Sequence, residues 1–453
     1  MNLALHCGAL IISWLFYYSR NSIPLKIKNK LGRPVIISTA ALTGIAVAVI
    51  LMSTNPITSI LGPKSGPILH DERLSVEVVA EGLNFPTSMR LLDDGSILVL
   101  EKNNGQVRVV LDGYILEYSP IQVEVANGAE QGLLGIAIWN ENDDTTSVFL
   151  YLTESYEDKT RNLVYKYVYD KNEKALGNKT LLLDLPAEPG PFHNGGKISI
   201  GPHDGYIYAV IGDVSSGGYM LDNQKGGKPP NDRSVILRVN RDTGKAVEDN
   251  PFYNYTGEME KLRRYYAYGI RNSFGMDFDP VTGKLWITEN GDHVYDEINI
   301  IQPGFNSGWH KIMGPFGRTN VTIENDLVNF DGAKYEDPVF SWYVPVGVTD
   351  IEFFNSTELG DKYKDNIFVG DINNGNLYFF EVNGERTGMT FHDPRLLDFV
   401  ADPVEDSEAS ELSSLILGEG FEGITDIETG PDGLLYILTY QDGKIYRIVK
   451  GAG

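Results

Sequence analysis

The stretch Pro431-Asp432-Gly433-Leu434-Leu-Tyr-Ile-Leu438 joins an Asp-Gly turn to a run of apolar and aromatic residues. The same order of polar turn and apolar run recurs at 93–100, 203–210 and 280–288, and a related run occupies 366–370. An Asp-Gly turn beside a strand-like run is a strong β-hairpin signal. Hairpins repeated over most of the chain therefore predict an all-β fold built from similar units.

Degenerate four-strand units of this kind are typical of β-propeller blades around a central channel. A pair of β-sandwiches is the alternative, but it would not explain why the signature returns from residue 93 to residue 432. The length of the segment 73–450 suits a six-bladed β-propeller, or fewer blades with an insertion. We expect the first strand, near 74–79, to pair with the last, 444–449, because ring closure removes exposed strand edges.

The N-terminal part of the chain has a different character. Apolar stretches at 3–18 and 35–52 flank a basic cluster at 20–33. The second stretch is long enough for a transmembrane helix, and the basic cluster should stay in the cytoplasm. We expect one or two N-terminal transmembrane helices within an anchor, residues 1–55, and a linker, residues 56–72. A cleaved signal peptide is the alternative; either one exports the propeller, and the anchor would hold it at the extracytoplasmic side of the cell membrane.

Charge and cysteine content exclude several classes of function. Residues 1–70 contain six Lys or Arg and no Asp or Glu, so the formal charge of −24 for the whole chain becomes −30 for residues 71–453. Such a surface repels phosphate backbones, which argues against a nucleic-acid partner. The only cysteine, Cys7, lies in the predicted anchor. The exported part therefore has no disulfide, cysteine nucleophile or cysteine–zinc site.

Four Asn-X-Thr sequons fit an extracytoplasmic domain that is open to glycosylation. They begin at Asn178, Asn254, Asn320 and Asn355.

Five polar loops carry the residue types that catalysis needs, because propellers place functional groups on loops at one mouth of the channel. The loops are Glu130–Gly135, Phe192–Gly196, Gly212-Asp213, Tyr268–Asn272 and Glu289–Asp292 with Asp296-Glu297. His193 precedes a double glycine and suits general-base work near neutral pH. Arg271 offers a fork of donors for an oxyanion or carboxylate. The alternatives are a histidine that only bonds a neighbouring blade and an arginine that ties blades together.

The Glu289-Asn290-Gly291-Asp292 loop combines carboxylates, an amide and backbone carbonyls within four residues. Calcium accepts irregular cages of such oxygen ligands. The spacing is not that of an EF-hand, and a plain acidic turn is the alternative to a calcium site.

These segments resemble the glucose/sorbosone dehydrogenase family, the soluble quinoproteins that include aldose sugar dehydrogenases. The matching stretches follow one another over nearly all of residues 74–450: Leu83–Arg90, Glu130–Gly135, His193–Gly196, Tyr268–Asn272, Thr288–Gly291, Asp296–Asn299, Gly304–Trp309 and Gly423–Asp426. The resemblance implies a six-bladed propeller that oxidises the anomeric hydroxyl of an aldose sugar. Pyrroloquinoline quinone (PQQ) would accept the hydride, and an external electron acceptor would reoxidise it.

The resemblance also implies roles for individual residues. His193 would take the hydroxyl proton, and Arg271 would polarise the quinone oxygen; both would contact the cofactor. Four further residues would position the cofactor: Gln131, Asp213, Asn272 and Asn290. The backbone carbonyls of Gly291 and Asp292 would hold Ca²⁺.

The sequence departs from the family where cations bind the carboxylates of the quinone. Family members carry an Arg-x-Arg-Asp stretch where this chain has Gly423-Ile-Thr425-Asp426, and a lysine near 370–374, where this chain has none. Lys197, Lys225, Lys228 and Arg233 are possible substitutes. The departure motivates a second hypothesis, a non-redox surface propeller that binds calcium and carbohydrate. A metal-dependent lactone hydrolase is a third, which rests on analogy of fold alone.

Overall fold

The computed structural model describes residues 27–28, 34–35, 66–157, 159–403 and 410–451, and the chain divides into two units, 1–65 and 66–453. In the first unit, strands β1 (Ile27–Lys28) and β2 (Pro34–Val35) pair in antiparallel orientation. The apolar stretches predicted as membrane anchor lie outside the described residues, except for Val35. Within the described ranges, no helix combines the length and the apolar character that a bilayer crossing requires.

The regular secondary structure of the second unit consists almost entirely of β-strands. In chain order they are β3 (Ile68–Leu69), β4 (Leu74–Glu81), β5 (Pro86–Leu91), β6 (Ile97–Glu101), β7 (Gln106–Leu111), β8 (Tyr114–Ile115), β9 (Ile121–Gln122), β10 (Leu133–Asn140), β11 (Thr145–Tyr156), β12 (Lys159–Asp170), β13 (Ala175–Pro186), β14 (Ile198–Ile200), β15 (Ile207–Ile211), β16 (Val235–Val239), β17 (Tyr265–Tyr268), β18 (Gly275–Phe278), β19 (Leu285–Glu289), β20 (Asp296–Ile301), β21 (Phe305–Asn306), β22 (Lys334–Tyr335), β23 (Phe340–Trp342), β24 (Val348–Phe354), β25 (Asn366–Asp371), β26 (Leu377–Val382), β27 (Met389–Thr390), β28 (Val400–Ala401), β29 (Ile416–Glu419), β30 (Ile424–Thr429), β31 (Leu435–Thr439) and β32 (Lys444–Lys450). In the described part of this unit, one short α-helix and five 3₁₀ helices connect them: Ile323–Asp326, and Met220–Asp222, Gly257–Arg264, Phe316–Arg318, Pro394–Leu396 and Glu411–Ser414.

The strands of the second unit form six sheets, named here A to F. Sheet A is β5-β6-β7-β8 with β9 on β7; B is β10-β11-β12-β13; C is β14-β15-β16-β17-β21-β22; D is β18-β19-β20-β23-β28; E is β24-β25-β26-β29-β3 with β27 on β26; and F is β30-β31-β32-β4. Strands adjacent in sequence pair in antiparallel orientation, whereas β21, β22 and β28 join in parallel orientation. Ile68–Leu69, within the segment predicted as linker, is the edge strand β3.

The first strands of the six sheets contact one another in cyclic order, A to B through to F and back to A. Sheet F combines both ends of the unit, since β4 pairs with β32 from Leu74↔Lys450 to Glu81↔Lys444. The predicted pairing of first and last strands is thus confirmed. The described residues form an all-β, propeller-like fold in which the first strands surround a central channel.

The turns that indicated the fold join the first and second strands of their sheets. In sheets A, C and F, an aspartate at the turn accepts the backbone N–H two residues later: Asp94 from Ser96 at 3.0 Å, Asp204 from Tyr206 at 3.0 Å and Asp432 from Leu434 at 3.1 Å. The Asp-Gly turns therefore cap hairpins as the sequence predicted.

Buried carboxylates link neighbouring sheets across the channel wall. Four side chains on first strands accept a backbone N–H from the first strand of the next sheet: Asp277 from Phe353 at 2.8 Å, Asp350 from Ile427 at 3.0 Å, Glu352 from Thr429 at 2.8 Å and Asp426 from Met89 at 2.6 Å. These bonds satisfy main-chain donors that would otherwise be buried without a partner. These four acidic residues therefore have a structural role inside the fold.

All four sequon asparagines lie on the exposed surface of the second unit: Asn178, Asn254, Asn320 and Asn355.

Candidate active site

The predicted site loops belong to one mouth of the channel because of how the sheets are connected. In each sheet the first strand starts at this mouth, and the second strand runs back and ends there. Gln131, His193 and Arg271 precede first strands β10, β14 and β18, whereas Asp213 and residues 290–292 follow second strands β15 and β19. The topology therefore brings together residues that are far apart in sequence.

A cavity of about 380 Å³ opens between these loops. Its lining includes five side chains with functional chemistry: His193, Asp213, Arg271, Asp292 and Trp309. The structure thus places the predicted base and the predicted guanidinium at one cavity.

His193 is held with its ring pointing into this cavity. Its backbone has a φ of +60°, an unusual conformation that its N–H stabilises by donating to Glu130 Oε2 at 2.6 Å. Its Nδ1 lies 2.7 Å from Asp213 Oδ1. Because a carboxylate can only accept, the single proton of the neutral imidazole lies on Nδ1, and Nε2 is the acceptor nitrogen of that form. Among the described residues, Nε2 has no hydrogen-bond partner.

Asp213 is committed to orienting the imidazole. Oδ1 also accepts the N–H of Ser215 at 2.8 Å, and Oδ2 accepts Nε1 of Trp309 at 2.9 Å. The resemblance implies that Asp213 positions the cofactor, and that role stays a prediction. In the structure the residue is 6% exposed, and its carboxylate is shared between His193 and Trp309, so it also orients the histidine.

The guanidinium of Arg271 is buried and incompletely satisfied. Nη1 donates to the carbonyl of Asn290 at 3.1 Å, Nη2 lies 3.3 Å from Asp292 Oδ1, and the group stacks 5.3 Å from the ring of Trp309. Nε is buried without a hydrogen-bond partner. A buried donor in this state favours a ligand acceptor.

The backbone of Arg271 is positioned by a fully buried acid. Glu289 accepts the N–H of Arg271 at 2.7 Å and the hydroxyl of Ser307 at 2.6 Å. Burial raises the pKa of Glu289 above its usual value. The pKa of the nearby Glu297 is also raised, by burial and by the charge of Glu289.

The predicted calcium loop is tightly built. Asn290 donates Nδ2 to the carbonyl of Val348 at 2.8 Å, and the N–H of Gly291 donates to Asp296 at 2.9 Å. A Cβ at Gly291 would lie 2.1 Å from the carbonyl oxygen of Tyr295, so only glycine fits. Within the described part of the chain, no hydrogen bond ends on the carbonyl oxygens of Gly291 or Asp292. These oxygens are free to accept a cation.

Gln131 and Asn272 do not line this cavity. Both ends of the Asn272 amide are used internally: Nδ2 donates to Glu130 at 3.1 Å, and Oδ1 accepts the N–H of Gly195 at 3.2 Å. Asn272 therefore fastens the loop that carries His193. Gln131 is 9% exposed and lies beside Gly128 and Gly190.

A second cavity, of about 260 Å³, shares the loop that carries His193. Gly195 and Gly196 form part of its wall, as do Glu130 and two lysines, Lys102 and Lys197. Lys197 pairs with Asp350 at 2.7 Å and with Asp426 at 2.6 Å. The other lysines and the arginine named as substitutes, Lys225, Lys228 and Arg233, line neither cavity.

One group of carboxylates in the described residues has the spacing of metal ligands: Asp350, Asp426 and Glu428. The cations of the chain itself occupy it, since Lys197 bonds the two aspartates and Arg90 bonds Glu428. We therefore read this group as a buried ion network of the channel and not as a metal centre.

Sequence reasoning missed Trp309 and Lys102. Trp309 was noted only as part of a matching stretch, although its indole both donates to Asp213 and stacks on Arg271. Lys102 follows second strand β6, just as Asp213 follows second strand β15 in sheet C. A place directly after a second strand is the signal in the sequence that points to it.

The chain is similar to known proteins over most of its length. Residues 83–447 match the family model for glucose/sorbosone dehydrogenases. An aldose sugar dehydrogenase of Escherichia coli is 25% identical over 383 residues, covering 83% of this chain and 92% of that protein. The crystal structure of the soluble aldose sugar dehydrogenase from Escherichia coli, at 22% identity, covers 83% of this chain and 100% of that one with a TM-score of 0.65. The PQQ-bound aldose sugar dehydrogenase of Streptomyces coelicolor, at 24% identity, covers 84% and 99% with a TM-score of 0.61. At these identities the two structures bear on the fold alone.

Proposed function

The chain belongs to the glucose/sorbosone dehydrogenase family, and from that premise we propose that it oxidises the anomeric hydroxyl of an aldose sugar with PQQ as hydride acceptor. One observation carries the proposal. The imidazole of His193, whose Nδ1 is bonded to Asp213, lines the same cavity as the guanidinium of Arg271. A base and a cation at one opening are what hydride abstraction from a hydroxyl-bearing carbon requires.

The residues of the site fit the quinone and its calcium ion. The guanidinium of Arg271, which lines the cavity, is a donor for a quinone oxygen. The carbonyls of Gly291 and Asp292, which accept no hydrogen bond from the described residues, are hard ligands for calcium. When bound, PQQ supplies an electrophilic carbon that accepts hydride, and calcium increases its polarisation.

The chain's own groups then have definite tasks. His193 Nε2 removes the proton of the anomeric hydroxyl, and Asp213 stabilises the imidazolium that forms, because its charge lies 2.7 Å from Nδ1. Arg271 stabilises negative charge that develops on an oxygen in the cavity. Trp309 holds Asp213 through its indole hydrogen bond and Arg271 through the contact of the guanidinium with its ring.

The proposal is tested with the full-length chain, supplied with calcium and PQQ, by dye reduction in the presence of aldoses. We expect turnover that falls by about 10²- to 10⁴-fold in His193→Ala, because general-base catalysis contributes a factor of this size. His392→Ala is the matched control, since that side chain is 80% exposed and lines neither cavity. Absence of turnover in the unmodified chain, with no quinone retained, would refute the dehydrogenase.

A non-redox propeller that binds calcium and carbohydrate is the second candidate. It is favoured by Thr425, which stands where family members carry an arginine of the quinone clamp and which lines the second cavity without offering charge. Calorimetry separates the candidates. Quinone affinity in the micromolar range or tighter supports the dehydrogenase, whereas calcium and sugar binding without quinone binding supports the second candidate.

We also propose that sheets A to F are the six blades of one propeller over residues 73–450, carried outside the cell membrane by an N-terminal anchor, residues 1–55. The closed contact cycle of the first strands supports the blade count. The apolar stretches at 3–18 and 35–52 support the anchor. Two experiments test the anchor. We expect a protease added to intact cells to digest the propeller from outside, and we expect the chain to stay in the membrane fraction during alkaline extraction.

A further inference from the structure

Lys102 is a buried cation that forms no ion pair with the described residues. The residue is 6% exposed, and in the described part of the chain its ammonium forms no ion pair. Its one hydrogen bond is to the amide oxygen of the adjacent Asn103, at 3.1 Å. Burial lowers the pKa of Lys102 to about 8, and Glu130 only partly offsets this effect. An ammonium in this state is destabilising unless something else binds it.

The fold holds Lys102 in this position. Its N–H and carbonyl bond to Phe85 and Leu133, and its stem packs against Gly132, where a Cβ would lie 2.5 Å from Lys102 Cγ. The glycine thus makes room for the lysine stem. Because its backbone and the first part of its stem are both held in place, Lys102 is fixed in the wall of the second cavity.

The rest of the second cavity suits a partly apolar ligand. Leu134, Phe274 and Ile372 are among its apolar lining residues. Hydroxyl groups from the first strands of three sheets also line it, and those of Thr87, Thr349 and Thr425 all donate to main-chain carbonyls. These hydroxyls are therefore not available as donors to a ligand anion.

The other lysine of the cavity cannot serve the same purpose. Lys197 is engaged by Asp350 and Asp426, both within 2.7 Å. Lys102 is thus the unpaired cation of this cavity among the described residues. It stands in the same cavity as Ile372 and Thr425, which occupy the two segments where the sequence departs from the family's cationic pattern.

We propose that Lys102 binds a carboxylate of the quinone, replacing from sheet A the cations that are absent from sheets E and F. The proposal rests on the proposed function. It makes Lys102 a cofactor-binding residue and extends the site from the cavity of His193 into the neighbouring one. The apolar residues would cover the ring face, and the ammonium would neutralise the acid group.

Calorimetry of PQQ binding to the full-length chain, in a buffer that contains calcium, tests this proposal. We expect Lys102→Met to weaken PQQ about 10- to 100-fold, the usual effect of one lost charge-assisted bond. The trimethyl ester of PQQ should bind both forms alike, because it has no carboxylate. Lys102→Arg should retain affinity within a few-fold. Lys174→Met, which removes the same charge outside both cavities, should change nothing.

A thermal melt of the ligand-free variants separates this role from a structural one. Lys102→Met should melt at the same temperature as the unmodified chain or higher, because a buried unpaired charge has been removed. Equal PQQ affinity in Lys102→Met and the unmodified chain overturns the proposal, as does an equal loss for PQQ and its ester. If the unmodified chain binds no PQQ at all, the proposed function itself has failed.

Discussion

The proton on the imidazole of His193 is placed by its neighbour. Asp213 accepts from three donors, His193 Nδ1, Ser215 N and Trp309 Nε1, and has nothing to donate. The basic nitrogen of the neutral imidazole is therefore Nε2. This arrangement depends on a single carboxylate oxygen.

Asp213→Asn should reverse that arrangement. If the new amide donates to Nδ1, the ring proton moves to Nε2 and the base is lost while the shape of the site is kept. We expect kcat to fall by about 10²- to 10⁴-fold. Calorimetric affinity for PQQ should change little and serves as the control. Unchanged kcat would mean that His193 is not the base.

The loop positions of His193 and Arg271 could be predicted from sequence, because their neighbours, a double glycine and a Tyr-Gly turn, interrupt the strand pattern. Trp309 and Lys102 could not be predicted in the same way. Each acts on a residue or cavity of a different sheet, and spacing along the chain does not indicate which loops meet at the channel mouth. The same reason explains why the contact of Asp213 with His193 was not predicted.

At the scale of elements, the loop that carries His193 rests directly on strand β10. A Cβ at Gly135 would lie 2.0 Å from the carbonyl oxygen of Gly196. Gly135→Ala should therefore push this loop away, lower the free energy of unfolding by about 1–3 kcal/mol, and reduce turnover. Gly177→Ala in β13, which meets nothing within 4 Å, is the control and should be nearly neutral. Denaturant titration and dye reduction measure the two effects; equal stability of both variants would contradict this reading.

The closing sheet F offers a second prediction at this scale. Ile448 in β32 is fully buried, whereas Val78 in the paired strand β4 is 54% exposed. Ile448→Ala should lower the free energy of unfolding by about 2–5 kcal/mol, because it removes buried apolar volume in the sheet that joins both ends of the unit. Val78→Ala should lower it by less than about 1 kcal/mol. Comparable losses in urea titrations would show that sheet F is not closed by this pairing.

Hairpins were the part of the fold that sequence predicted best, because Asp94, Asp204 and Asp432 act within their own turns. The additions to sheets C, D and E were not predictable. Strands β21, β22, β28 and β3 are two residues long, and too short a run carries no periodicity. Their pairing is decided by the surface against which each long loop packs.

At the scale of the whole molecule, the net charge of −24 counts every carboxyl group as ionised, although several of them are buried. Burial raises the pKa of several carboxyl groups around the channel and beneath the site: Asp277, Glu289, Glu297, Asp350 and Glu352. The folded protein therefore retains protons that the unfolded chain releases above about pH 4.5.

The free energy of unfolding should consequently fall as pH rises from about 5 to 8. Each proton held only by the folded state contributes about 1.4 kcal/mol per pH unit within that window. Groups with a lowered pKa, such as Asp94 and Asp249, change the free energy of unfolding only at pH values below this range. Urea titrations at constant ionic strength, with a chelator to remove divalent cations, measure the trend. A free energy that is constant or rises over this range would contradict the assignment of buried acids.

Sheet F also has a consequence for how the protein is made. Its outer strand β4 comes from the start of the unit and its partner β32 from the end, so some 370 residues must leave the ribosome before the two can meet. Until then the edge of β4 is open to any other strand. A chain that is released early would keep that edge uncovered and open to strands of other chains. We therefore expect truncated chains to aggregate more readily than complete ones.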